Sequence, residues 1–140
     1  MIEEIEKEIQ ELIKILNLNC SIKEFKDLVS WTSISLNQNL SENFIREFKD
    51  KIYWNYISYK QELSENFIRE FKDLINWSFI SYHQKLSEKF IYEFKDKIYI
   101  KKLIERKLIT KQRLEEMILK EINWKKKIKK RSYRFEIMDI

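Results

Sequence analysis

The chain of 140 residues contains no glycine, no proline and no alanine, and it has one cysteine and one histidine. Without glycine or proline the usual phosphate-cradling loops, two-residue hairpin turns and proline-rich linkers are hard to build. A nucleotide-binding loop or a small β architecture is therefore disfavoured, and a helical chain is the default. Cys20 cannot close an internal disulfide, and it reads as a small, partly buried apolar residue. One cysteine and one histidine do not furnish an ordinary zinc site, and they leave little room for Ser-His-Asp chemistry. No apolar run approaches the roughly 18 residues of a membrane span. The opening MIEEIEKEIQ is acidic where a secretion signal is basic, so the expected location is the cytoplasm, or the host cytosol for a phage- or virus-encoded chain.

What the chain does have is apolar and aromatic. Hydrophobic residues make up 44%, with nine Phe, seven Tyr and four Trp. Each large side chain contributes roughly 1.5–3 kcal/mol when fully buried, so a real core is within reach. Isoleucine and lysine together supply 45 residues, which suggests AT-rich coding. The net charge of +5 is unevenly spread. Residues 1–27 carry −3, residues 28–100 are neutral and residues 101–140 carry +8. An acidic start and a basic end make a dipolar chain whose basic end suits nucleic acid, an acidic protein or an anionic membrane surface.

Trp31, Trp54 and Trp77 lie 23 residues apart and open the blocks WTSISLNQNLSENFIREFKDKIY, WNYISYKQELSENFIREFKDLIN and WSFISYHQKLSEKFIYEFKDKIY. Fourteen of the 23 positions are identical in all three, which marks a tandem array. Degenerate copies flank it. SIKEFKDLV at 21–29 matches the second half of a unit, and Ile100, Leu103, Ile109, Thr110, Leu114, Glu116 and Met117 keep the phase downstream. An offset of one residue then brings Trp124 into the position of another repeat tryptophan.

Within each unit Ser41, Ser64 and Ser87 stand where a helix N-cap belongs, followed by Glu42, Glu65 and Glu88, whose charge suits a helix N-terminus. Leu40, Leu63 and Leu86 precede them at hydrophobic-staple spacing from Ile45, Ile68 and Ile91. Phe44, Ile45, Phe48 and Ile52 then share one helical face, with Lys49 and Lys51 expected in the last turn. In the other half-unit Trp54, Ile57 and Gln61 fit a second, shorter helix. KIYWNYISY could instead be a strand, which would give a β/α repeat. The poor alternation favours two helices. The expected fold is all-α: two-helix repeats of 23 residues stacked as a small α-solenoid over 21–124, an N-terminal amphipathic helix over 1–20 and a basic C-terminal helix or tail over 125–140. No such unit buries its own apolar face, so neighbours supply the core. Ile2, Ile5, Ile9, Leu12 and Leu16 form a narrow seam, read as a cap on the first repeat or, alternatively, as a coiled coil that would make a homodimer.

The pattern WxxISxxQxLSExFIxEFxDKI, as it stands at 31–52, 54–75 and 77–98, resembles short tandem repeats of large DNA virus proteins and of some low-GC bacterial and mobile-element proteins. The resemblance implies an interaction scaffold and brings no catalytic or cofactor residue with it.

Few residues of the chain offer chemistry. His83 occupies a position filled by Asn37 and Lys60 in the sister copies and reads as a surface residue. Glu47, Glu70, Glu93, Asp50, Asp73 and Asp96 recur with the array and fit capping or inter-repeat hydrogen bonds better than general acid-base work. Ser35, Ser58, Ser81, Gln38, Gln61 and Gln84 recur likewise and are expected to satisfy backbone groups in glycine-free turns. Positions that change between copies, Lys60 among them, are better candidates for a partner surface: Tyr56, Tyr59, Phe79, Tyr82 and His83 would form an aromatic stripe suited to a protein interface, with core packing as the competing role. Lys125, Lys126, Lys127, Lys129, Lys130, Arg131 and Arg134 could neutralise phosphates, and Tyr133 could stack on a base. The expected function is non-enzymatic binding of a protein partner, with no cofactor or metal. One such role is a phage- or virus-encoded inhibitor of a host factor such as a defence (CRISPR-type) nuclease. The alternatives are nucleic-acid binding through the basic tail and a self-assembling scaffold. The face assignment predicts that Phe71→Ala lowers stability by roughly 3–5 kcal/mol in urea unfolding, and a near-neutral effect would overturn it.

Overall fold

A computed structural model describes the backbone of residues 1–138 and the side chains of residues 1–131. The described residues form ten helices and no strand, so KIYWNYISY is a turn followed by a helix and the β/α repeat is excluded. The chain divides into two compact units, Met1–Gln84 and Lys85–Ile140.

The first unit contains α1 (Ile2–Ile15), α2 (Ile22–Leu28), α3 (Trp31–Asn37), α4 (Glu42–Glu47), α5 (Trp54–Lys60), α6 (Glu65–Glu70) and α7 (Trp77–His83). The Trp-led helices touch in succession, α3 on α5 and α5 on α7, while α1 lies on α2 and α4. The second unit contains α8 (Glu88–Glu93), α9 (Ile100–Glu105) and α10 (Lys111–Met138). Six- and seven-residue helices are too short to be stable alone, so packing must hold them. Phe44, Ile45, Phe67, Ile68, Phe90 and Ile91 are fully buried, as are Ile34, Ile57 and Ile80. Phe71 is buried against the rings of Trp54 and Phe67, at centroid distances of 4.9 and 4.6 Å.

The helix starts follow the serine pattern. Ser41, Ser64 and Ser87 accept hydrogen bonds from the backbone N–H groups of Phe44, Phe67 and Phe90 at 3.0, 3.2 and 3.2 Å. The ends fall earlier than the apolar spacing suggests. α4 stops at Glu47, and Ile52, Lys49 and Lys51 lie in the turn beyond it. The carbonyl of Phe48 takes the N–H groups of Lys51 and Ile52, and the carbonyl of Lys49 is taken by the indole N–H of Trp54 at 3.1 Å. Trp31 and Trp77 make the same bond to Lys26 and Lys72 at 3.0 Å. A tryptophan five residues on thus receives a carbonyl that would otherwise end in water.

Between the two helices of a unit the backbone is extended, with ψ near 142° at Gln61. Its polar groups are completed by the next repeat. Gln61 donates its side-chain N–H to the carbonyl of Gln38 at 2.7 Å and accepts the N–H of Leu40 at 3.0 Å. Gln84 does the same for Gln61 and Leu63, at 2.7 and 3.0 Å. Ser35 and Ser58 are fully buried, donate to the carbonyls of Trp31 and Trp54, and accept the N–H groups of Tyr53 and Asn76 at 3.0 and 2.8 Å. The expectation that the recurrent serines and glutamines satisfy backbone groups is met at these positions.

A third ladder runs through acids. Glu42 accepts from the N–H and hydroxyl of Ser64 at 2.6 and 3.0 Å, and Glu70 accepts a charge-assisted pair of bonds from Arg46 at 2.8–3.1 Å. Ser41 has no complete repeat before it, and Glu8 of α1 takes its N–H and hydroxyl in the same manner. The face of α1 nearest the repeats buries Ile5, Ile9 and Leu12 in one cluster with Phe25, Val29, Ile34 and Phe44. Those three seam residues are therefore occupied within the chain's own core, and Cys20 packs partly buried beside them. The 21–29 copy forms α2 with a capping box of Ser21 and Glu24, and those two bonds from Ser21 hold the Glu24 carboxyl below its ordinary 4.5.

Two helix ends need a left-handed residue, and in a glycine-free chain Asn17 and Lys107 take it, with φ of 51° and 60°. In the second unit Thr110 accepts from the N–H of Arg113 at 3.0 Å, and Leu103 and Ile109 are buried, so the degenerate downstream copy keeps the repeat phase up to this cap. Beyond it the expectation of a further repeat tryptophan fails. The turn-forming FKDKI of the earlier units is replaced by MILKE, which continues as helix, and Trp124 lies mid-helix in α10 with 60% of its surface exposed.

Replacing Gln61 by Leu leaves the Gln38 carbonyl and the Leu40 N–H without their partner. A loss of about 2–4 kcal/mol is expected in urea unfolding, against less than about 1 kcal/mol for exposed Glu62→Gln.

Candidate partner-binding surfaces

α5 and α7 present their variable residues on one side because Ile57 and Ile80, with Ser58 and Ser81, turn the invariant side inward. Tyr59 meets Phe79 at 5.4 Å between ring centroids and His83 in a T-shaped pair at 4.6 Å, and Tyr82 lies 6.3 Å from His83. The Lys60 ammonium sits 5.1 Å over the Tyr59 ring. The structure therefore gathers Tyr59, Lys60, Phe79, Tyr82 and His83, as the variable positions suggest. Tyr59, Lys60, Tyr82 and His83 are exposed, while Tyr56 and Phe79 are half-buried.

Beside this cluster opens a groove of about 550 Å³ lined by Leu36, Tyr53, Trp54, Asn55, Tyr56, Tyr59 and Phe79. Tyr53 and Tyr56 stand 6.2 Å apart along it, and Tyr53 is 50% exposed. Tyr53 is the residue that sequence reasoning missed. Its signal was available, because the same repeat position holds Asn76 and Tyr99 in the next copies. Asn76 caps α7 with its side chain, accepting from the N–H groups of Ser78 and Phe79, and its amide N–H donates to Asn55 at 3.0 Å. Tyr53 cannot make such a cap and instead supplies a ring to the groove.

The second surface is α10. Lys125, Lys126, Lys127, Lys129, Lys130 and Arg131 are all exposed on it. Lys125 pairs with Glu121 at 2.6 Å. The side chains of Tyr133 and Arg134 lie outside the described residues. The helix runs unbroken from Lys111 to Met138, so the basic segment continues the helix begun in the last repeat-like cap. The two units differ in charge: residues 1–84 carry −4 and residues 85–140 carry +9. Among the described residues no group of three or more His, Cys, Asp and Glu side chains could hold a metal ion, and no helix is long and apolar enough to cross a membrane.

No family model, curated protein or solved structure matches the chain.

Half-exposed rings on a cluster edge carry little folding energy, so Tyr82→Ala is expected to change stability by less than about 1 kcal/mol, where buried Phe67→Ala costs about 3–5 kcal/mol. Paired urea titrations read the difference.

Proposed function

We propose that the chain is a non-enzymatic helical-repeat protein that acts by binding a protein partner through the aromatic groove of its first unit. The observation that carries this reading is the groove itself. The core and the ladders are built from invariant residues, whereas residues that differ between copies, together with Trp54, line an open, ring-rich surface. Tyrosine and tryptophan offer large contact area for few rotatable bonds and dominate interface energetics. Lys60 and His83 at the rim add polar contacts.

The two-helix units are proposed to stack as a small α-solenoid, with α1 as its N-terminal cap. Successive contacts of α3, α5 and α7 support the stacking, and Glu8 supports the cap because it supplies to Ser41 what Glu42 supplies to Ser64. The mechanism is steric occlusion of the partner's own working surface. The sequence resemblance favours a host factor as that partner, a defence nuclease being one, for a chain of phage or viral origin.

Capture from host-cell lysate on the immobilised full-length chain tests the reading. A protein retained in stoichiometric amount, and released at least about tenfold more readily by a Tyr59→Ala/Phe79→Ala chain of unchanged circular dichroism, is the expected result. Recovery of nucleic acid without such a protein would overturn it.

A further inference from the structure

We propose that the exposed segment 124–131 of α10 is an amphipathic anchor for an anionic lipid surface, a role independent of the aromatic groove. Leu114, Met117, Glu121, Trp124 and Ile128 follow one another at spacings of 3, 4, 3 and 4 and so form one stripe along the helix. The first half of the stripe is covered. Leu114 and Met117 are half-buried, and Glu121 accepts a hydrogen bond from the Tyr92 hydroxyl. From there the stripe leaves its covering: Trp124 is 60% exposed and Ile128 48%. Lys125, Lys127 and Arg131 flank those two apolar side chains and Lys126, Lys129 and Lys130 occupy the far side of the helix, all exposed.

Charge names an anionic occupant, and the apolar pair selects among anionic ones. A nucleic-acid backbone rewards the cations but leaves Ile128 and much of the indole in water. An anionic bilayer surface rewards both. Tryptophan prefers the headgroup level, isoleucine enters the acyl boundary, and lysine stems lie along the apolar side while their ammonium groups reach the lipid phosphates and carboxylates. Each basic residue held near such a surface adds to the attraction, and the attraction falls within a Debye length, so binding is strongly salt-dependent. Glu121 lies in the same stripe, and its pairing with Lys125 and its bond from Tyr92 offset its negative charge there.

Sedimentation of the full chain with phosphatidylcholine vesicles, with and without about 30% phosphatidylserine, tests the assignment at about 0.1 M and 0.5 M salt. Binding is expected only to the serine-containing vesicles and only at the lower salt. Trp124→Ala/Ile128→Ala, which leaves the charge unchanged, should weaken it about tenfold, and changing Lys125, Lys126, Lys127, Lys129 and Lys130 to Gln should weaken it about a hundredfold. Absence of binding to anionic vesicles overturns the proposal. So does binding that the Trp124/Ile128 variant leaves intact. A chain that instead binds random-sequence oligonucleotide, equally well with and without Trp124 and Ile128, is a nucleic-acid binder and overturns it too.

Discussion

In the first unit the buried amides of Gln61 and Gln84 are the constraint on which the rest of the array depends. Each spans two repeats, donating to the carbonyl of the equivalent glutamine and accepting one backbone N–H of the copy before it, and Gln84 donates to the Ser58 carbonyl as well. The extended segments they close are flanked by helices six or seven residues long, and such segments would otherwise leave polar backbone groups buried without partners, at about 1–3 kcal/mol each. A β-sheet solves the same problem with neighbouring strands. Here a side chain does the work of a strand, so a chain can keep short helices and extended links in register without any sheet.

Once the amides set the register, the other polar contacts fall at fixed offsets. Ser35 and Ser58 tie one Trp-led helix to the start of the next, the Trp31, Trp54 and Trp77 indoles catch carbonyls near the ends of the preceding helices, and Glu42 reaches the cap of the following unit. These contacts take over what glycine and proline do elsewhere: they stop helices and turn the chain. The substitution is incomplete at Asn17 and Lys107, where a left-handed backbone is needed and residues with a Cβ must adopt it.

Much of this was legible in the residues. Serine caps, the buried Phe-Ile pairs and the two-helix unit could be read because caps and apolar spacing are local signals, and identical copies multiply them. The roles of the repeated serines and glutamines could be inferred from recurrence alone, although their partners could not, since those partners lie 18–23 positions away. Helix ends were less legible. The stop at Glu47 depends partly on an indole from the next unit, and apolar periodicity continues through Ile52 without recording it. The opposite error occurred at Trp124, where a repeat tryptophan was expected and MILKE simply carries the helix on. Glu8 was read as one charge in an acidic helix, and nothing in its neighbours shows that it would serve Ser41, 33 residues downstream. The aromatic stripe was legible because the copies differ there, while Tyr53 escaped because it sits at the seam between two units.

The glutamine ladder also bears on how such a chain can change length. Each amide pairs with the equivalent residue one period back, so the junctions closed by Gln61 and Gln84 use the same donors and acceptors. Recombination between these copies that adds or removes 23 codons would leave such junctions with their partners, whereas an insertion of a few codons would strand an amide and the backbone groups it serves. Gene-level misalignment among near-identical repeats is therefore filtered by backbone hydrogen bonding: surfaces of different reach can arise in single steps, with new rings at the variable positions and the same scaffold beneath.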